Sequence, residues 1–215
     1  MSVVNRIKDK MKRKGIYGKK VVSINEIKKF ENKIGITLPE EIVLFYTQIC
    51  NGCKMLDDFE LLSMEEWKYD IENVKKSFLF TKYWIWEDDY DEDRIKHISD
   101  GNVELIDIGD AQSWNIIVKG SEKGKMWFFT DVGIQPCVPS MNFFEWFEFW
   151  LDGNENYFEN LELRLYDYFK IAFCSAGHTF MTTGWRLYCR TTIRRPSCGQ
   201  KRASETAGEE AKASH

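Results

Sequence analysis

Histidine is scarce in this chain: His97, His178 and His215 are the only three among 215 residues. That scarcity removes the commonest general base from most of the molecule. His97 reads as one residue among strand residues, and no Ser or Cys beside it completes a nucleophile pattern, which favours a core or surface histidine over a catalytic one. Six cysteines (Cys50, Cys53, Cys137, Cys174, Cys189 and Cys198) are too few for a disulfide scaffold and read as reduced thiols. No window approaches the roughly 20 apolar residues that cross a bilayer. The opening residues, Met1 to Arg6 followed by a lysine-rich stretch, do not read as a secretory signal, so the expected location is the cytoplasm. Phosphate loop, dinucleotide fingerprint and H-E-x-x-H are all missing. The expectation is therefore a protein that is not an enzyme, with no catalytic residues, no cofactor and no metal site.

What is abundant is apolar and aromatic material, 43% and 15% of the chain, enough for one well-filled domain. Charge is unevenly spread. Residues 174–215 carry seven Lys/Arg against three Asp/Glu, while residues 1–173 carry 23 against 31. An acidic body argues against nucleic acid or an anionic membrane as its main partner and points to a protein partner instead.

Three regions follow. Residues 1–20 form a basic lead-in, a frayed helix or a solvated arm. Residues 21–173 form the domain, and residues 174–215 a basic tail. Within the domain, Ser23 with Glu26 makes a capping box for a helix carrying Ile24, Ile27, Phe30 and Ile34, stopped by Gly35. Leu38-Pro39-Glu40-Glu41 opens a second helix, with Ile42, Phe45, Tyr46 and Ile49 inward and Asn51-Gly52 as its stop. Residues 59–62 read as a short strand. Ser63 with Glu66 then predicts a third helix with Trp67, Ile71, Val74 and Phe78 on its inner face. Segments 103–108, 114–118 and 126–130 read as strands, with 109–110, 120–124 and 131–133 as turns. Asn142 caps an aromatic helix over 143–151, and a last helix is expected from about 155 to 173. Short loops favour antiparallel neighbours, so the expected class is α+β, a largely antiparallel sheet flanked by helices.

This order resembles the SUKH superfamily, the Smi/Knr-like proteins. The resemblance lies in Ile27-x-x-Phe30-Glu31, Gly35-Ile36-x-Leu38-Pro39, Phe45-Tyr46 leading to Asn51-Gly52, Glu60-Leu61-Leu62-Ser63 and Glu66-Trp67. It continues through Ile108-Gly109-Asp110 and the aromatic helix, covering roughly residues 20–153. The resemblance implies a binding protein without catalysis. Bacterial members look like immunity proteins that neutralise toxins, many of them nucleases, exchanged between neighbouring cells. Fungal relatives are regulatory binding proteins in cell-wall signalling.

The feature singled out for partner binding is Glu87, Asp88, Asp89, Tyr90, Asp91, Glu92 and Asp93, preceded by Trp84 and Trp86. Six carboxylates in seven positions repel one another unless solvent or a cationic partner screens them. A nuclease groove is lined by Lys and Arg, and an acidic loop suits it, with aromatics as anchors. The rival reading is a solvated loop beside core aromatics. A calcium loop of EF-hand type lacks its central Gly and closing Glu here. Cys50-Asn51-Gly52-Cys53 has C-x-x-C spacing, but it straddles a helix stop and has no second pair, so redox and zinc chemistry are disfavoured. The tail reads as non-functional and disordered at its end, against the rival of a nucleic-acid-binding arm.

Overall fold

In the computed structural model, which describes residues 1–55, 59–87 and 89–154, the chain folds into helices packed on a five-stranded antiparallel sheet. The expected α+β class is what forms. The expected helix at 155–173 and the tail at 174–215 lie outside the described residues.

Helix α1 (Val3–Arg13) comes from the stretch read as a basic lead-in. Val4, Ile7 and Met11 fall on one face and are buried, while Lys10, Lys12 and Arg13 occupy the last turn, where the helix dipole favours cations. Lysines between the apolar positions had disguised this stripe. α1 packs against α3 (Glu40–Gln48) and α5 (Phe143–Leu151). Arg6 grips Glu148 of α5 with two hydrogen bonds of 2.7 and 2.6 Å, and Lys10 reaches the same carboxylate at 3.0 Å. Residues 1–20 are therefore not a detached arm.

Helix α2 (Ile24–Ile34) has the full reciprocal capping box of Ser23 and Glu26 and ends at Gly35 with φ 70°, a conformation glycine adopts without strain. Ile27 and Ile34 are buried, but Ile24 faces solvent. α3 follows Pro39 and buries Ile42, Phe45 and Tyr46. The short strands β1 (Cys53–Lys54) and β2 (Glu60–Leu61) pair antiparallel.

The helix expected after Ser63 does not form. Glu66 accepts from the backbone and hydroxyl of Ser63, but Glu66 N donates to the Ser63 carbonyl at 2.9 Å and not to its hydroxyl, so only half of the capping box is made and only turns follow. The chain is drawn instead onto the sheet edge: Leu62 N donates to Leu105 O at 2.9 Å, and Glu104 N to Lys68 O at 2.9 Å. Pairing with the sheet overrides the local signal. Trp67, Val74 and Phe78 are buried as expected, while Ile71 is exposed.

The main sheet runs in the order β3-β7-β6-β5-β4, built from β3 (Trp84–Ile85), β4 (Asn102–Gly109), β5 (Gln112–Ile117), β6 (Met126–Phe129) and β7 (Gly133–Pro136). All its pairings are antiparallel. Strand β7 was hidden in sequence because it begins inside an apparent turn and ends on proline. Alternation along β6 separates two cores: Met126 and Phe128 join the helices, whereas Trp127 and Phe129 face a smaller cluster with Phe78, Phe80, Trp84, Ile117 and Ile134. Helix α5, capped by Asn142 and Glu145, buries Phe143, Phe144, Trp146, Phe147, Trp150 and Leu151 and fills the main core.

Candidate partner interface

The acidic segment hangs from the edge of the sheet that carries the smaller core. Strand β3 pairs with β7 through Trp84↔Ile134 and Ile85↔Gly133, and the chain then leaves the sheet at Trp86. Trp84 is buried, stacked on Phe80 at 5.6 Å with the rings 14° apart. Its Nε1 donates to Asp89 O at 3.1 Å, which ties the loop back over the core. Trp86 is half-buried and donates from Nε1 to Asp131 O at 2.9 Å. The two tryptophans therefore hold the loop in place, and Tyr90, 71% exposed, is the aromatic side chain in the segment that a partner can reach.

Asp91 is committed to structure. Its carboxylate accepts from Asp93 N at 3.0 Å and Arg94 N at 3.1 Å, capping the single-turn helix α4 (Glu92–Ile95). Glu87, Asp89, Glu92 and Asp93 are exposed, the side chain of Asp93 by 92%. Asp88 lies outside the described residues.

Sequence reasoning stopped at Asp93 and missed two cations that complete the site. The Arg94 guanidinium lies 4.4 Å from the Trp84 ring centroid and 5.6 Å from that of Phe80, with a guanidinium nitrogen 3.7 Å from Asp89. Lys96 reaches Asp93 at 2.9 Å and Glu92 at 3.9 Å. The hydrogen bond from Lys96, with its charge, holds the Asp93 carboxyl below its ordinary value. Lysine three and four residues beyond Asp93 and Glu92 was the signal available in the sequence. Repulsion within the acidic run is thus partly compensated from inside the chain, leaving four more carboxylates than cations in residues 87–96.

His97 is not among strand residues. It sits in the turn after α4, with Nδ1 2.6 Å from Oδ2 of the buried Asp100. Asp100 begins a buried polar chain. Asn102 donates to Ile98 O and Asp100 O, Asn115 donates to Asn102, and Ser113 donates to Asn115. These bonds fix the turn that returns the acidic segment to β4.

The C-x-x-C pair is sealed in the main core, with Cys50 and Cys53 both buried. The Cys50 thiol beside it and burial together push the Cys53 thiol well up, away from the thiolate form that redox chemistry uses. Among the described residues no group of three His, Cys, Asp or Glu side chains is arranged to hold a metal ion. No described helix is long and apolar enough to cross a membrane.

No curated protein and no solved structure matches the chain. The model of the SMI1 / KNR4 family (SUKH-1) matches residues 22–151, which run from the residue before the Ser23 cap to the last residue of α5. The chain belongs to the SMI1 / KNR4 family (SUKH-1).

Proposed function

We propose that this chain is a non-catalytic binding protein of the immunity type, which neutralises a basic toxin domain by stoichiometric association. Family membership supports a binding role. The observation that carries the finer reading is the exposed acidic face of Glu87, Asp89, Glu92 and Asp93, fixed by Trp84, Asp91 and Arg94 rather than left as a floppy loop. A pre-ordered face loses little conformational entropy on binding, and its charge speeds encounter with a cationic groove. Tyr90 supplies the reachable aromatic contact. Nuclease domains fit this partner class, because a surface that holds phosphates presents Lys and Arg.

The test is capture and inhibition. The full chain, used as bait against the secreted toxins of its source organism and of related strains, is expected to retain a basic toxin domain at one-to-one ratio and abolish its activity. Reversing Glu87, Asp89 and Glu92 to Lys is expected to end both, with the fold intact; Asp91 is spared because it caps α4. Undiminished inhibition by the reversed variant would move the interface elsewhere.

A further inference from the structure

Averaging charge over the whole body conceals a basic pole. Residues 1–33 carry eleven Lys/Arg against three Asp/Glu, while residues 34–154 carry ten against 24. Within the basic pole, the strap at residues 17–22 and the start of α2 are fixed firmly. Lys19 N donates to Gly52 O at 2.9 Å, Asn51 N to Lys19 O at 3.1 Å, and Val22 N to Tyr46 O at 3.0 Å. With the backbone so held, Tyr17, Val21 and Ile24 stay 83, 38 and 48% exposed. Isolated exposed apolar residues need no explanation, but here three recur within eight positions, with exposed Lys20 among them and exposed Lys28 and Lys29 one turn farther along α2. Lys19 is spent on Glu60 and Glu66 at 3.0 and 2.8 Å. The one carboxylate at the start of α2, Glu26, is held below its ordinary value by hydrogen bonds from the Ser23 backbone and hydroxyl, with help from Lys29 and Lys20. Lys28 lies one helical turn beyond Ile24 on α2, and Lys20 directly precedes Val21 in the strap.

We infer that Tyr17, Lys20, Val21, Ile24, Lys28 and Lys29 form a docking surface for an anionic phospholipid bilayer. The chemistry favours lipid over nucleic acid for three reasons. The cations are all lysines, compact point charges suited to a diffuse anionic surface, with none of the arginine forks that grip single phosphates. Glu26 takes the Ser23 amide and the Ser23 hydroxyl takes that of Glu26, so the start of α2 already holds a carboxylate where a phosphate would sit. Val21 and Ile24 gain nothing against a polyanion but bury area at the headgroup–acyl boundary, where a tyrosine such as Tyr17 is also at home. The acidic remainder of the body is repelled by the same bilayer, which limits contact to this patch. This surface shares no residue with the acidic segment, so the proposal stands apart from toxin binding.

The test is sedimentation of the full chain with vesicles of phosphatidylcholine alone and of phosphatidylcholine mixed with phosphatidylserine. Binding is expected to the mixed vesicles only, and to fall with salt. Lys20, Lys28 and Lys29 changed together to Gln are expected to lower the partition coefficient about a hundredfold, at roughly fivefold per lysine near an anionic surface. Val21→Ser with Ile24→Ser is expected to lower it about tenfold or more with the salt dependence unchanged. Both sets lie on the surface, and circular dichroism checks that the fold survives. Lys8→Gln with Lys12→Gln, on the outer side of α1, leaves binding nearly unchanged if the patch is specific. Absence of binding to mixed vesicles overturns the inference, as does equal loss in the α1 pair. Tight binding to duplex DNA that ignores the Val21 and Ile24 changes overturns it in favour of nucleic acid.

Discussion

The guanidinium of Arg94 lies over the ring of Trp84, 4.4 Å from its centroid, and so fastens the acidic segment to the smaller core from the solvent side. Trp84 pulls from beneath through its hydrogen bond to Asp89 O. Together the two contacts make the acidic face an ordered surface, on which the proposed function depends.

Arg94→Ala is therefore expected to cost about 0.5–1 kcal/mol of stability, the range for a partly exposed cation over an aromatic ring. Arg94→Lys is expected to recover part of that. Urea denaturation measures the loss, and hydrogen exchange across residues 84–96 should show it concentrated there.

Glu148 links α1 to α5 through Arg6 and Lys10. The hydrogen bond from Arg6 is the main reason its carboxyl titrates below the ordinary value, with Lys10 adding to it against a cost of burial. A carboxyl depressed on folding stabilises fully above its unfolded value and loses that contribution as pH falls through the folded one. Glu148→Gln is thus expected to lower stability at neutral pH by about 1 kcal/mol and to flatten the acid limb below roughly pH 5. Urea midpoints across that range check it.

The hydroxyl of Tyr46 donates to Leu62 O at 2.7 Å and accepts from Trp67 Nε1 at 3.0 Å, deep in the main core. Burial pushes this phenol well above its ordinary value, so it stays neutral and bonded. Tyr46→Phe strands two buried polar groups and is expected to cost about 1–3 kcal/mol. A far smaller loss in denaturant midpoint would contradict the assigned network.

The β4–β5 turn holds Asp110 and Ala111 at φ 48° and 58°. Both central residues of a tight hairpin are left-handed here, which aspartate tolerates better than alanine. Ala111→Gly is expected to raise stability by about 0.5–1 kcal/mol, read as a higher melting temperature with binding unchanged.

These elements also show what the sequence could reveal. Ser23 with Glu26, and Asn142, marked true helix starts, because in both the cap side chain accepts from the third helical amide and the contact made from outside, Glu41 with Phe144 N, adds to the first turn of α5 without displacing its cap. Ser63 with Glu66 made only half of the box, Glu66 N donating to the Ser63 carbonyl instead of its hydroxyl, and Leu62 and Lys68 had partners on β4, more than 35 residues away, that no local pattern reveals. α1 was hidden by its lysines, and β7 by turn-like residues at its start. In the candidate site the acidic run was legible, but its organisation was not. That Trp84 lies buried, that Asp91 caps α4, and that Arg94 and Lys96 answer the carboxylates all depend on how the chain returns to the sheet.

The central claim is that the acidic face is the partner-binding surface, and it is tested most directly by affinity. Isothermal calorimetry would compare the wild type with the chain carrying Glu87→Lys, Asp89→Lys and Glu92→Lys, against a basic toxin domain captured with the wild type in the proposed test. The account requires at least a hundredfold weaker binding by the variant, equal unfolding midpoints for the two proteins, and a salt dependence that is steep for the wild type and shallow for the variant. Equal affinity with an intact fold would show that residues 84–93 are only a solvated edge of the sheet.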